Sequence, residues 1–531
     1  MTAAHGLAGT AGLLRLAMRR DRVMVAGWLA ALVLTTASSA KATIDLYGDA
    51  AAGVAAAHAV NTNAALVAMY GPIFDERSMG SLAIFKLVLL FGALMTILFV
   101  VLVRRHTRLE EESGRADLVS ATATGPQAPL AAAIVQAGGL ALLLGVLVAL
   151  GNIATGLPTA GSFAFGMAWA GLALFATALT AVIAQLFSSA RTVAGMVATV
   201  MATLYVARAA GDATDTAWLV WLSPFGWASR MRAYAGEQWW PMALFALAFA
   251  VGVALSFWLR SRRDLGDGLI AARPGSPTGT LTGYGSLVLR LHRPGLVGWC
   301  LGLFALGAVL GSIAPSAAQF AGSTEVQDML KRMGGSGLLK DAFLAIETSF
   351  MAVAAAAYGV SVVNRAHTEE VSGRLENVLA GGVSRIRLYA WVVGFALVSS
   401  TALLACFGLG TGLAFGRAES DVADQTGRLL AAAVGQSPAT WAIVALSALA
   451  FGVRSSWAPV GWVFLVGSVV VGQIGELLDL PSWVIKASPF AHMPKMPVEQ
   501  FEVTGAISVI VGLCVVAVVG GALAFRRRDV G

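Results

Sequence analysis

The sequence predicts an all-α integral membrane protein: twelve transmembrane helices arranged as two parallel six-helix repeats. Composition, the spacing of apolar runs and an internal duplication carry that reading. Of 531 residues, 57% are hydrophobic and 12% are charged. Soluble domains carry about 25% charged residues, so an ordinary soluble enzyme is excluded. The net charge of +7 would suit nucleic acid only if the basic residues formed a binding face. They lie instead in short clusters between apolar runs, so no nucleic-acid partner is expected. Cys300, Cys406 and Cys514 sit inside apolar runs and read as small buried hydrophobes, not metal ligands or a disulfide framework. No cleavable signal peptide is expected, because Met1–Arg22 has no long apolar core before its basic cluster.

A helix needs about 20 apolar residues to cross the hydrocarbon core. The first half offers Val23–Ala40, Leu82–Val103, Pro129–Ala154, Ser162–Phe187, Val193–Ala209 and Pro241–Leu259. The second offers Gly295–Ile313, Phe343–Val363, Leu388–Ala414, Leu429–Val453, Ala458–Ile474 and Val503–Phe525. Basic clusters at Arg104/Arg105/Arg108/Arg115, Arg260/Arg262/Arg263, Arg365/Arg374/Arg385/Arg387 and Arg526–Arg528 then fall on one side. The positive-inside rule makes that side cytoplasmic, with both termini there. A plasma-membrane, multi-pass location follows as the expectation.

The halves read as copies. Arg22 and Trp28 recur as Arg293 and Trp299, and Glu110-Glu111 with Ser113-Gly114-Arg115 recur as Glu369-Glu370 with Ser372-Gly373-Arg374. Ser223-Pro224-Phe225 recurs as Ser488-Pro489-Phe490, and Arg262-Arg263-Asp264 as Arg527-Arg528-Asp529. Six spans per half give both halves the same orientation, hence a parallel repeat. The expected organisation is a first half over 1–271 with an N-terminal interfacial helix, a Pro/Gly/Thr-rich linker over 272–285, and a second half over 286–531.

The segment after the second span of each half is the most informative. In the second copy Val371, Leu375, Val378 and Leu379 follow at i, i+4, i+7 and i+8, predicting one apolar helical face. Glu369, Glu370, Arg374 and Glu376 occupy much of the rest. A single copy would read as a solvated connecting helix; two equivalent copies point to docking of a soluble partner. The first copy has Glu112 and Ser120 where the second has Val371 and Leu379, so the second is expected to dock more firmly. Arg15, Arg19 and Arg22 before span one, and Arg290 and Arg293 before span seven, predict amphipathic stretches drawn to anionic lipid.

Recognisable catalytic chemistry is missing. A phosphate-binding loop needs Gly-x-x-x-x-Gly-Lys-Ser/Thr, and none of the six lysines follows a glycine. The histidines are scattered, without zinc-ligand spacing. No catalytic or metal residue is therefore assigned, no cofactor is expected in this chain, and the chain by itself is not an enzyme. Among ionisable residues within spans, Lys86 and Glu347 stand out near the outer ends of spans two and eight. They are costly there and form either an outer gate or a pair of interfacial groups snorkelling to water. Trp218, Trp221, Trp227, Trp239 and Trp240 read as an interfacial aromatic belt, or in part as a cap on a hydrophobic exit path.

These residues also carry a family resemblance. Arg105-His106-Thr107-Arg108-Leu109-Glu110-Glu111-Glu112-Ser113-Gly114-Arg115, the Ala65–Pro72 and Ala487–Pro494 segments and the Arg-Arg-Arg-Asp ending resemble ATP-binding-cassette exporter permeases. The likeness is to the fused two-half type of actinobacterial polyketide-antibiotic (tetronasin-type) exporters. It implies a type V exporter fold and two copies of a separate ATPase subunit that binds Mg-ATP. It implies export of hydrophobic or amphipathic compounds, with a pathway expected between the halves, near spans two, five, eight and eleven. On this resemblance the coupling residues are Glu110, Glu111, Gly114, Arg115 and Asp117 in the first half, and Glu369, Glu370, Gly373, Arg374 and Glu376 in the second. The alternative is an ion-coupled secondary multidrug transporter; against it, the second-to-third loops lack a Gly-x-x-x-Asp-Arg pattern.

Overall fold

The computed structural model describes residues 6–47, 50–214, 216–270, 281, 283–315, 336–473, 488–498 and 505–529. Among these, eleven helices are long and apolar enough to cross a membrane. The protein is an all-helical, multi-pass integral membrane protein. It divides into two compact units, Met1–Gly275 and Ser276–Gly531.

In the first unit the long helices are α1 (Thr10–Leu46), α4 (Met79–Arg105), α7 (Ala128–Ala154), α8 (Thr159–Leu186), α9 (Ala190–Ala213) and α12 (Pro241–Arg260). Short helices fill the connections: α2 (Ala50–Thr62), α3 (Ala64–Tyr70), α5 (Arg108–Glu112), α6 (Arg115–Ser120), α10 (Ala217–Trp221) and α11 (Pro224–Arg230). Helix α8 is the most enclosed, with Phe165, Trp169, Leu172 and Ala176 fully buried. It lies close to α7 because both use glycine at the crossing: a β-carbon on Gly166 would stand 2.1 Å from the Gly145 carbonyl oxygen. Small residues that let backbones approach are how membrane helices gain packing energy without a hydrophobic drive. Helix α4 carries one π turn, Leu87–Phe91, where the Trp169 indole donates to the Leu87 carbonyl at 3.2 Å.

The second unit has α13 (Tyr284–Ile313), α14 (Ser336–Val371), α15 (Arg374–Ala380), α16 (Arg385–Ala418), α17 (Val422–Gly435), α18 (Ser437–Val453), α19 (Val460–Gln473) and α20 (Gly505–Arg527). Helices α13 and α16 meet through Gly307, Gly311 and Gly410. A β-carbon on Gly410 would reach 2.1 Å from the Phe304 carbonyl oxygen.

Two expectations change. The basic stretch before span one is not a separate interfacial helix; it continues into the span as α1, because no glycine or proline interrupts Leu13–Ala26. Helix α13 is likewise continuous despite Pro294 within it. The expected span Leu429–Val453 lies in a longer pair, α17 and α18, which abut at Gln436 with Pro438 in the first turn of the second. The expected span Ala458–Ile474 is described up to residue 473, as α19. Residues 474–487 lie outside the described residues, as does most of the expected linker.

Candidate functional site

Each unit folds its Glu-Glu segment against the basic end of its own bundle. In the first, α5 ends at Glu112, and Gly114 at φ 71° starts α6. In the second, α14 ends at Val371, and Gly373, also at φ 71°, starts α15. Glycine occupies this left-handed conformation without the β-carbon penalty, so it allows the chain to reset direction between two short helical runs.

The second glutamate of each pair points inward to the final helix of its own unit. The Glu111 carboxylate accepts from Arg263 Nη2 at 2.6 Å and Nη1 at 2.9 Å, and from Arg108 Nη1 at 2.7 Å. Arg263 also donates to Gln185 Oε1 at 2.8 Å, and Arg108, fully buried, reaches the Ala184 and Asp267 carbonyls. Burial lowers the Arg108 pKa to about 10 against the attraction of Glu111. Glu370 accepts from Arg528 Nη2 at 2.7 Å. The Arg528 guanidinium lies over the Phe451 and Phe525 rings, 5.4 and 5.0 Å from their centroids. Flat guanidinium groups suit such stacked, partly desolvated positions.

The remaining expected coupling residues face outward or lie along the rim. Glu110 pairs with Arg20 and, at 3.5 Å, with Arg115. Glu369 pairs with Arg374 and, at 3.7 Å, with Arg365. Arg115, Asp117, Arg374 and Glu376 are exposed. Glu112 turns inward at its tip, accepting from the Ala190 amide at 2.6 Å. The expected single apolar stripe of the second copy is broken at Gly373. Val371 is 74% exposed whereas Leu375 is 3% exposed, because the left-handed residue rotates α15 relative to α14.

Three groups escaped the sequence reading. Asp21, completely buried, contacts His106, Arg105 at 3.3 Å and Gln136 Nε2 at 3.1 Å. The run Arg19-Arg20-Asp21-Arg22, which looks solvated, hides it. Arg208 and Asp212, at i and i+4 in α9, form a buried pair at 3.3 Å, joined by Arg230 at 3.4 Å. Their helical spacing was the available signal. Tyr234, at φ 63°, packs against Gly80 and Gly161 and shares a 2.8 Å hydrogen bond with Ser162. Burial raises its pKa to about 12.

Lys86 is exposed on α4, with Nζ 5.8 Å from the Phe85 ring centroid. Glu347 is half-buried on α14. Trp218, Trp239 and Trp240 are exposed; Trp221 and Trp240 meet at a tilt of 31° with ring centroids 4.9 Å apart, and Trp227 packs edge-on to Phe175 and Phe245. Between α4 and α9 runs an apolar groove of about 580 Å³, walled by Leu94, Ile97, Val101, Ala198, Met201 and Val206, with Arg104 also in its lining.

Residues 281–526 match the family described as the C-terminal domain of the multidrug efflux system permease Rv1217c. Over 529 residues, 99% of this chain and 96% of the relative, the sequence is 38% identical to the multidrug efflux system permease protein Rv1217c of Mycobacterium tuberculosis (strain ATCC 25618 / H37Rv). A relationship at this identity over nearly all of both chains makes this chain a member of the Rv1217c family of multidrug efflux permeases.

Proposed function

We propose that this chain is the permease of an ATP-driven exporter of hydrophobic or amphipathic compounds. Its arrangement is the fused, type V kind, in the plasma membrane with both termini cytoplasmic. Two copies of a separate ATPase subunit, each binding Mg-ATP, supply the energy. The observation that carries the reading is the pair of Glu-Glu segments, each tied by an ion pair, enclosed in the first unit and part-buried in the second, to the arginine motif that follows the last helix of its own unit. Outward charges at Arg115, Asp117, Arg374 and Glu376 give a soluble partner something to grip. The inward pairs turn a push on α6 or α15 into movement of α12 or α20.

The apolar groove between α4 and α9 has the chemistry for a greasy substrate, since apolar walls with few polar groups bind by desolvation. It lies within the first unit, beside the second and fifth of its spans. Lys86 and Glu347 are assigned to the outer gate.

Reconstitution tests the proposal. The purified permease should hydrolyse no ATP above background. Adding its cognate ATPase to inverted vesicles should give dye uptake that requires ATP and survives collapse of the proton gradient. Uptake driven by a proton gradient without ATP would establish the ion-coupled alternative and overturn the reading.

A further inference from the structure

The groove between α4 and α9 is apolar along nearly all of its wall, and its polar lining residues are Thr96, Arg104 and Tyr205. Two of these have their donors occupied. The Thr96 hydroxyl donates to the Ala93 carbonyl at 2.6 Å, and the Tyr205 hydroxyl donates to the Met69 carbonyl. Arg104 is left over. Its Nε is buried with no hydrogen-bond partner among the described residues, and no carboxylate among them forms an ion pair with it. Its basic neighbours are matched, Arg105 with Asp21 and Arg108 with Glu111. At the offset that relates Arg115 to Arg374, the second repeat has Val363 in place of Arg104, so the repeated framework does not require a cation here. A charged donor enclosed by apolar side chains is costly until an acceptor meets it.

Register along the helix gives the groove a direction. Its wall on α4 runs from Leu90 to Arg104, about 20 Å at 1.5 Å per residue, and Arg104 lies in the last turn. The groove therefore leads from the basic end of the span toward its middle. An amphiphile in the adjoining leaflet stands the same way, with its head at the surface and its body toward the bilayer centre. Leu94, Ile97 and Val206 are exposed, so the groove is open from the side. Its volume of about 580 Å³ suits one drug-sized molecule. We propose that the groove selects amphipathic carboxylates, with the carboxylate on the Arg104 guanidinium and the hydrocarbon body along Leu94, Ile97, Val101 and Val206. The assignment rests on reading this groove as part of the export path, and it adds the charge of the cargo. Arginine suits the task because its N–H donors meet both oxygens of a carboxylate.

Equilibrium binding of a pyrene-labelled fatty acid and of its neutral primary amide tests this on the permease purified in nonionic detergent. No ATPase is needed, so the result is independent of what energises transport. At alkaline pH, where the acid is ionised, it should bind about fivefold more tightly than the amide, because a charge-assisted hydrogen bond exceeds a neutral one. Arg104→Gln should erase the difference, Arg104→Lys should keep part of it, and Ala198→Trp, which fills the groove from α9, should weaken both probes. Arg191→Gln should leave the difference intact, since Arg191 is exposed in the first turn of α9 and outside the lining. In cells, Arg104→Gln should lower the ratio of acid to amide efflux severalfold, whatever the energy source. Equal affinity of the wild type for the two probes, or a difference that survives Arg104→Gln, would overturn the proposal. An equal loss in Arg191→Gln would assign the preference to general surface charge and overturn it too. Arg104-dependent displacement of the fatty acid by phosphatidylglycerol, but not by phosphatidylcholine at the same concentration, would make the groove a lipid site and likewise overturn it.

Discussion

Glu370 and Arg528 stand 158 residues apart in sequence and 2.7 Å apart in space, joining the second Glu-Glu segment to the end of the last helix. Glu111 and Arg263 make the corresponding junction in the first unit, at 2.6 Å. In both cases the second glutamate of the pair meets the second arginine of an Arg-Arg-Asp motif. Glu370 and Arg528 are only part-buried, so removing one partner should cost more than for an exposed pair, worth under about 1 kcal/mol, and less than for a fully buried one, about 3–5 kcal/mol. Glu370→Arg should therefore lower thermal stability and efflux together, and adding Arg528→Glu should recover much of both. Thermal unfolding and dye efflux at matched expression measure this. If the double variant is no better than the singles, the contact does not couple the two segments.

The first junction should be the more sensitive. Glu111 is held by two arginines, one of them fully buried, whereas Glu370 has a single described arginine partner. Glu111→Gln should lower the melting temperature further than Glu370→Gln. Equal shifts would mean that the extra arginine contributes nothing.

Outward charges should separate coupling from stability. Asp117→Lys and Glu376→Lys change exposed side chains, where ion pairs are worth under about 1 kcal/mol. Each should leave the melting temperature unchanged while reducing substrate-stimulated ATP hydrolysis severalfold in the reconstituted complex. Wild-type stimulation in both variants would remove these faces from the partner interface.

Lys86 and Glu347 call for a charge exchange. By the repeat offset, Lys86 corresponds to Ala345 and Glu347 to Val88, so the two charges occupy nearly equivalent positions, each within its own repeat. Lys86→Glu and Glu347→Lys should each impair efflux, and the double reversal should restore much of it. Additive loss in the double variant would assign both to interfacial snorkelling.

The α4–α9 groove predicts a selectivity change. Ala198→Trp places an indole in the groove on an exposed position, so folding should be unaffected. Efflux of large hydrophobic dyes should fall at least several times more than efflux of small ones, read as a shift in the ratio of inhibitory concentrations. A uniform change across substrate sizes would exclude the groove as the pathway.

The helices were legible because a membrane imposes a minimum apolar length, and runs such as Pro129–Ala154 declare it. The Glu-Glu segments were legible because they occur twice. Their internal geometry was not: helical periodicity across Val371–Leu379 is blind to a single left-handed residue, and Gly373 reads in sequence as part of a motif rather than as a break. The partners Arg263 and Arg528 were visible as a repeated motif, but pairing across more than 150 residues is a property of the fold. Asp21 is concealed for a related reason. Local sequence gives it charged neighbours, while the helix turns those outward and sends Asp21 alone into the bundle.

The unbroken course of α1 has a mechanical consequence. Its 37 residues make a rod about 55 Å long at 1.5 Å per residue. Asp21 pins it to α4 and α7 through Arg105, His106 and Gln136. The arm from Thr10 to that pin is about 16 Å and the arm from the pin to Leu46 about 37 Å. A tilt about Asp21 would carry Leu46 more than twice as far as Thr10, making the buried aspartate a fulcrum and the helix a lever.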